Sequence, residues 1–89
     1  MKVQYSTQFA KDARKLPQHI KTAIKELVIQ FENVQSLLEI RDCKPLEGVK
    51  NGYRIRRGDY RITLSLKIQE DAVLLLRVLA RGQVYKKHV

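Results

Sequence analysis

Arginine residues recur at alternate positions in the second half of this sequence, in a pattern suited to binding phosphate groups. Arg54 and Arg56 flank Ile55, and Arg61 directly precedes Ile62. Arginine can donate paired hydrogen bonds to phosphate oxygens, which lysine cannot do. Residues of this type can hold a nucleic-acid backbone and stabilise charge on a reacting phosphate.

The segments that carry these arginines have the pattern of β-strands. Residues 53–57 and 60–66 flank Gly58 and Asp59, a pair typical of a two-residue hairpin turn. Residues 73–80 are nearly all apolar, as in a central strand. Because side chains alternate across a strand, burial of the apolar set leaves the arginines on the open face. That set comprises Arg54, Arg56, Arg61 and Arg81, with Arg77 as a possible fifth member.

The same alternation gives one further expectation. It assigns Val73 and Leu75 to the face of Arg77, because the three lie at every second position. A single arginine on an open face often only keeps the strand hydrated and discourages edge pairing. Several arginines together repel one another, and a phosphate chain is the simplest group that offsets this repulsion.

Composition limits the classes of protein to consider. The chain has 89 residues and a formal net charge of +9, and 44% of its residues are hydrophobic. It predicts a single domain over residues 1–89 whose surface attracts polyanions, either nucleic acid or an acidic protein. A merely soluble basic surface is the alternative. One cysteine, Cys43, and no visible signal or membrane segment indicate a cytoplasmic protein without a membrane partner.

The first half of the chain has the pattern of a strand followed by two helices. Ser6 can cap a helix that Pro17 ends, and a second helix with a 3.6-residue period runs to about Gln35. Ser36 and Glu39 have capping-box spacing for a short third helix, and residues 42–52 are expected to form a loop. The fold class is α+β, in the order β-α-α-β-β-β. The sheet is antiparallel, mixed through the N-terminal strand, with a helical hairpin on one face.

Three segments carry a family resemblance: Lys44-Pro-Leu-Glu-Gly48, Gly52-Tyr-Arg-Ile-Arg-Arg-Gly-Asp-Tyr-Arg-Ile62 and Val78-Leu-Ala-Arg-Gly-Gln-Val-Tyr-Lys86. With the element order, they resemble the RelE/ParE toxin superfamily over essentially the whole chain. The resemblance implies a RelE-like fold and the toxin of a bacterial type II toxin–antitoxin pair, neutralised by an acidic antitoxin. RelE-type members cleave mRNA in the ribosomal A site, whereas ParE-type members poison DNA gyrase.

The resemblance also implies site residues. The expected catalytic residues are Arg56, Arg61, Arg81 and Tyr85. The expected RNA-binding residues are Lys44, Arg54, Arg57, Arg77, Lys86 and Lys87. Some relatives use a glutamate base just before Pro-Leu, where this chain has Lys44, so a mechanism that needs that carboxylate is in doubt here.

No metal or cofactor is expected, because His19 and His88 lie far apart in sequence and no carboxylates cluster. Metal-independent RNA cleavage then needs proton transfer by Tyr85, His88 or Lys86, or depends mostly on positioning and electrostatics. Three hypotheses remain open. They are a ribosome-dependent mRNA endoribonuclease, a ParE-like gyrase inhibitor without nuclease activity, and a plain nucleic-acid-binding module.

Overall fold

The computed structural model describes residues 1–81. Two α-helices follow the first strand, and four further strands and two short 3₁₀-helices follow the α-helices. The elements are β1 (Lys2–Tyr5), α1 (Thr7–Arg14), α2 (Gln18–Asn33), a 3₁₀-helix (Leu37–Glu39), β2 (Cys43–Pro45), β3 (Gly52–Arg57), β4 (Tyr60–Lys67), a second 3₁₀-helix (Ile68–Glu70) and β5 (Ala72–Ala80). The α+β class and the helical hairpin are confirmed.

The strands form one mixed sheet in the order β1-β5-β4-β3-β2. Within residues 1–81, only β1 runs parallel to its neighbour. It pairs with the first part of β5, from Lys2 opposite Ala72 to Tyr5 opposite Leu75. The other pairs are antiparallel, as expected. The two-residue turn is also confirmed, because Arg57 pairs with Tyr60 across it and Gly58 has a φ of 57°.

The core lies between the helices and one face of the sheet. The helices contribute Phe9, Leu16, Ile20, Ile24, Leu27 and Phe31, and the central strands contribute Ile55, Ile62, Leu64, Val73, Leu75 and Val78. Phe31, Ile55, Ile62 and Leu64 have no exposed surface. Burial of these side chains removes large apolar areas from water and fixes which face of each strand meets the helices. Among residues 1–81, no helix is long and apolar enough to cross a membrane.

The predicted loop over residues 42–52 was wrong in part, because it contains β2. This strand is only three residues long and pairs with β3 at the edge of the sheet. Pro45 made a strand there look improbable, since proline cannot donate a ladder hydrogen bond. An edge strand tolerates proline because one of its sides needs no partner.

The prediction that Val73 and Leu75 share the face of Arg77 was also wrong. Both side chains are fully buried in the core. The pairing of β4 with β5 shifts by one residue between Thr63, which faces Arg77, and Leu64, which faces Leu75. The extra residue, Leu76, forms a β-bulge, and a bulge reverses the alternation of side chains beyond it.

Helix α1 replaces the missing neighbour of β5 beyond Leu75. The hydroxyl of Ser6 accepts a hydrogen bond from the N–H of Phe9 at 3.0 Å and donates one to the carbonyl of Leu76 at 2.8 Å. Two residues further along β5, the N–H of Val78 donates a hydrogen bond to the carboxylate of Asp12 at 3.1 Å. The same carboxylate forms an ion pair with Arg77 at 2.8 Å. Two side chains therefore hold the second half of β5 against the helix.

The pKa of Asp12 is lowered by these contacts. Burial alone would raise the pKa, but hydrogen bonds from Arg77, Gln8 and the N–H of Val78, together with the charge of Arg77, outweigh it. A carboxyl group whose pKa is lower in the folded state stabilises the fold above its unfolded pKa. That stability is lost as the pH falls through the folded value.

We therefore predict that Asp12→Asn unfolds at a lower urea concentration than the natural protein at neutral pH, and that the difference narrows below about pH 4. Urea denaturation at neutral and at acid pH measures this difference. Glu26→Gln, a change of the same charge at an exposed position of α2, serves as the control. A gap between Asp12→Asn and the natural protein that stays constant down to the lowest pH would contradict the assignment.

Candidate nucleic-acid interface

Two rows of residues cross the face of the sheet that lies opposite the helices. In the first row, Lys44 of β2 lies opposite Arg54 of β3, which lies opposite Thr63 of β4, and Arg77 of β5 completes the row. In the second row Arg56 lies opposite Arg61. Adjacent strands are about 4.8 Å apart, so cations on neighbouring strands can contact one phosphate or two consecutive phosphates.

The second row ends in a small pocket beside the hairpin turn. This pocket has a volume of about 210 Å³ and is lined by Arg56, Gly58, Asp59, Tyr60, Arg61 and Arg81. The backbone N–H of Arg81 donates to the carbonyl of Asp59 at 2.8 Å, which ties the end of β5 to the turn. The pocket thus gathers three of the four sequence-predicted catalytic residues from three different segments.

The three arginines of the pocket differ in their exposure to solvent. Arg56 and Arg81 are exposed, whereas Arg61 is only 9% exposed. A charge that is partly withdrawn from water is screened less, so it acts more strongly on a neighbouring anion. Arg61 is therefore the member of the pocket best suited to stabilise negative charge on a phosphate, and Arg56 and Arg81 can bind the groups on either side.

Arg57 lies outside this cluster. It alternates with Arg56 along β3 and so shares the side of Ile55. Its guanidinium group donates to the carbonyl oxygens of Arg41 at 2.9 Å and Arg56 at 2.7 Å. Burial and the nearby charge of Arg41 lower the pKa of Arg57, and burial raises the pKa of the Cys43 thiol beside it. The structure thus directs the Arg57 side chain to the loop before β2.

Arg77 has the strand position that was predicted, on the open face opposite Thr63. Its side chain, however, extends to Asp12 on α1. Its Nε–H donates to Oδ2 of Asp12 at 2.8 Å, and its Nη2 donates to Oδ1 of Asp12 at 3.3 Å. Four of the sequence-predicted residues, Tyr85, Lys86, Lys87 and His88, lie outside the described part of the chain.

Two features of the interface were not predicted from the sequence. Asp59 was interpreted only as a turn residue, although it also lines the arginine pocket. Its position follows from the hairpin register, because a two-residue turn leaves its second residue beside the first residue of β4. Asp12 lies on α1, and its pairing with Arg77 on β5 has no signal in the local sequence. Within residues 1–81, no three His, Cys, Asp or Glu side chains cluster as metal ligands do.

Comparisons with known proteins agree with this architecture. A family model described as the ParE toxin of the type II toxin–antitoxin system parDE matches residues 3–85. Toxin RelE3 of Methanocaldococcus jannaschii is 37% identical over 86 residues, which cover 96% of each chain.

Solved structures give the same result. A chain of the RelB–RelE antitoxin–toxin complex from Methanococcus jannaschii matches with a TM-score of 0.83 and 33% identity, over 94% of this chain and 96% of that one. A chain of the archaeal RelE–RelB complex from Pyrococcus horikoshii OT3 matches with a TM-score of 0.77 and 28% identity, over 91% and 94% of the two chains. The expected RelE-like fold is confirmed, and the chain belongs to the RelE/ParE superfamily of type II toxin–antitoxin toxins.

Proposed function

We propose that this toxin binds mRNA across the arginine-bearing face of its sheet and cleaves it at the ribosome in the cytoplasm, as an endoribonuclease that needs no metal. The observation that carries the proposal is the pocket formed by Arg56, Arg61 and Arg81 beside the hairpin turn. The adjoining row, with Lys44 and Arg54, extends the positive surface across β3 and β2.

Cleavage of this kind begins when the 2′-hydroxyl of a ribose attacks the adjacent phosphate. The phosphorus then carries five oxygens and additional negative charge, and the bond to the 5′-oxygen breaks. Fixed cations stabilise this state more than the ground state, because the charge on the phosphate oxygens is larger in the transition state. In our proposal Arg61 contacts those oxygens, while Arg56 and Arg81 hold the chain so that the hydroxyl and phosphorus stay aligned.

The arginines themselves do not transfer the protons. A guanidinium group is not deprotonated in proteins at neutral pH, so arginine cannot act as a base. We propose that Tyr85 contacts the substrate and takes part in the proton transfers, and that Lys86 and Lys87 bind the RNA backbone. Lys44 stands where some relatives have a glutamate, and it lies directly opposite Arg54 on the sheet. In our proposal it binds phosphate.

We further propose that an acidic antitoxin neutralises the toxin. Two relatives were solved as complexes of RelE with RelB. The net charge of +9 on this chain favours association with an acidic partner through long-range attraction. A partner that covers the arginine face would compete directly with RNA.

Substitution of Arg61 tests the activity. We expect Arg61→Gln and Arg61→Lys to abolish growth inhibition on induced expression, because glutamine removes the charge and lysine removes the paired donors. Loss of one such transition-state contact typically lowers the rate by about 100- to 1,000-fold. Primer extension on a reporter mRNA measures the cleavage directly, and thermal melting checks that each variant folds.

Arg14→Gln serves as the matched control, because it removes the same charge from the exposed surface of α1. It should remain toxic. Full toxicity of folded Arg61→Gln would remove the basis for the assignment. Inhibition of gyrase supercoiling by the purified protein, without mRNA cleavage, would instead identify a ParE-like inhibitor.

Salt dependence tests the proposed RNA contacts. Four phosphates bound by Arg54, Arg56, Arg61 and Arg81 should contribute about −3 to the slope when log affinity for single-stranded RNA is plotted against log salt concentration. The contacts proposed for the three lysines make the slope more negative still. Replacement of Arg54 by glutamine should make the slope less negative by about 0.7. Fluorescence anisotropy with a short 2′-O-methylated RNA, which cannot be cleaved, measures both values. A slope near zero for the natural protein would show that phosphate contacts do not govern binding.

A further inference from the structure

The side chain of Arg77 is held away from the row of cations in which its backbone lies. Arg54 and Arg77 flank Thr63 on the two neighbouring strands, so their backbones are about 10 Å apart on the same face. Each could therefore contact a phosphate of the same RNA strand. The guanidinium group of Arg77 is instead bound through two of its nitrogens by the carboxylate of Asp12, at 2.8 Å and 3.3 Å.

Asp12 is itself held firmly in this position. Its side chain is only 10% exposed. Besides Arg77 it accepts hydrogen bonds from Nε2 of Gln8 at 3.1 Å and from the backbone N–H of Val78 at 3.1 Å. These donors come from α1 and β5 and fix the carboxylate from both sides. The contact is therefore unlike an exposed surface ion pair, whose side chains separate at little cost.

We propose that Asp12 occupies Arg77 in place of a substrate phosphate, so that the RNA-binding row of Lys44 and Arg54 ends at β4. Asp12 is then a positioning residue that determines how many phosphates the toxin contacts. This inference rests on the proposed RNA-binding function and limits the number of phosphates that the surface can bind. It differs from the expectation that Arg77 binds RNA, and the experiments below decide between the two.

The reason lies in the similar geometry of carboxylate and phosphate. Both present two oxygens to the two parallel N–H groups of arginine. Asp12 is part of the same chain, so it competes with a phosphate at high effective concentration. A phosphate that displaced Asp12 would leave a largely buried carboxylate without its cation, which is a costly arrangement. Arg77 therefore releases no counterion when RNA binds.

The substitution Asp12→Asn tests this proposal. The amide oxygen of asparagine can still accept the N–H of Val78, but it no longer neutralises Arg77, which becomes available to a phosphate. The slope of log affinity against log salt for the 2′-O-methylated RNA should become steeper by about 0.7, the value for one added phosphate contact on a single strand. In the double variant Asp12→Asn/Arg77→Gln the slope should return to that of the natural protein.

Glu26→Gln is the matched control, because it changes the net charge equally at an exposed position of α2. It should leave the slope unchanged. Equal slopes for Asp12→Asn and Glu26→Gln would overturn the proposal. So would a steep slope that persists in the double variant.

A second substitution gives an independent test that does not require Asp12→Asn to fold. In Arg77→Gln alone, the slope should equal that of the natural protein, because Arg77 makes no phosphate contact. A slope less negative by about 0.7 would show that Arg77 already binds RNA and would overturn the proposal. If the natural protein itself shows no salt dependence, the proposed RNA-binding function fails instead, and the two failures are therefore distinguishable.

Discussion

Burial of Ile55, Ile62 and Leu64 beneath the helical hairpin determines where the arginines of the central strands can lie. All three side chains are fully buried, and their neighbours along each strand must face the other way. The arginines cannot turn inward without bringing unpaired charge into the core, which is costly. The same apolar contacts that stabilise the fold therefore also assemble the positive face. The hairpin turn then fixes the register that sets Arg56 opposite Arg61.

Most of this arrangement could be predicted from local sequence patterns. The two-residue turn, the helical hairpin and the shared face of Arg54, Arg56 and Arg61 depend on local periodicity and turn chemistry, which a sequence displays directly. The capping box at Ser36 is also present, with Glu39 accepting the N–H of Ser36 at 3.1 Å. The helix that follows it is a 3₁₀-helix of only three residues. A capping box satisfies the backbone N–H groups at the start of a helix but does not determine how long the helix is.

The features that could not be predicted depend on contacts between distant segments. The bulge at Leu76 is a mismatch between two strands, and neither strand shows it alone. β2 forms because its backbone pairs with β3 at the edge of the sheet, although it contains Pro45. The pairing of Asp12 with Arg77 joins residues 65 positions apart. Through this pairing the side chain of Arg77 connects β5 to α1 and is held away from the open face of the sheet. Residue type alone cannot distinguish such an arginine from one that faces solvent.

The bulge at Leu76 also determines which face each half of β5 presents. Before it, Val73 and Leu75 are buried in the core, and after it Arg77 lies on the open face while Val78 is buried. Without the bulge, strict alternation over the full strand would place Val73, Leu75 and Arg77 on one face. Either the two apolar side chains would then leave the core, or Arg77 would turn toward the helices. Removal of one of the three leucines at 74–76 avoids this conflict, because the shortened strand alternates with Val73 still inward and Arg77 still outward. We therefore expect β5 to tolerate the loss of this one residue, since it keeps the two faces of the strand intact.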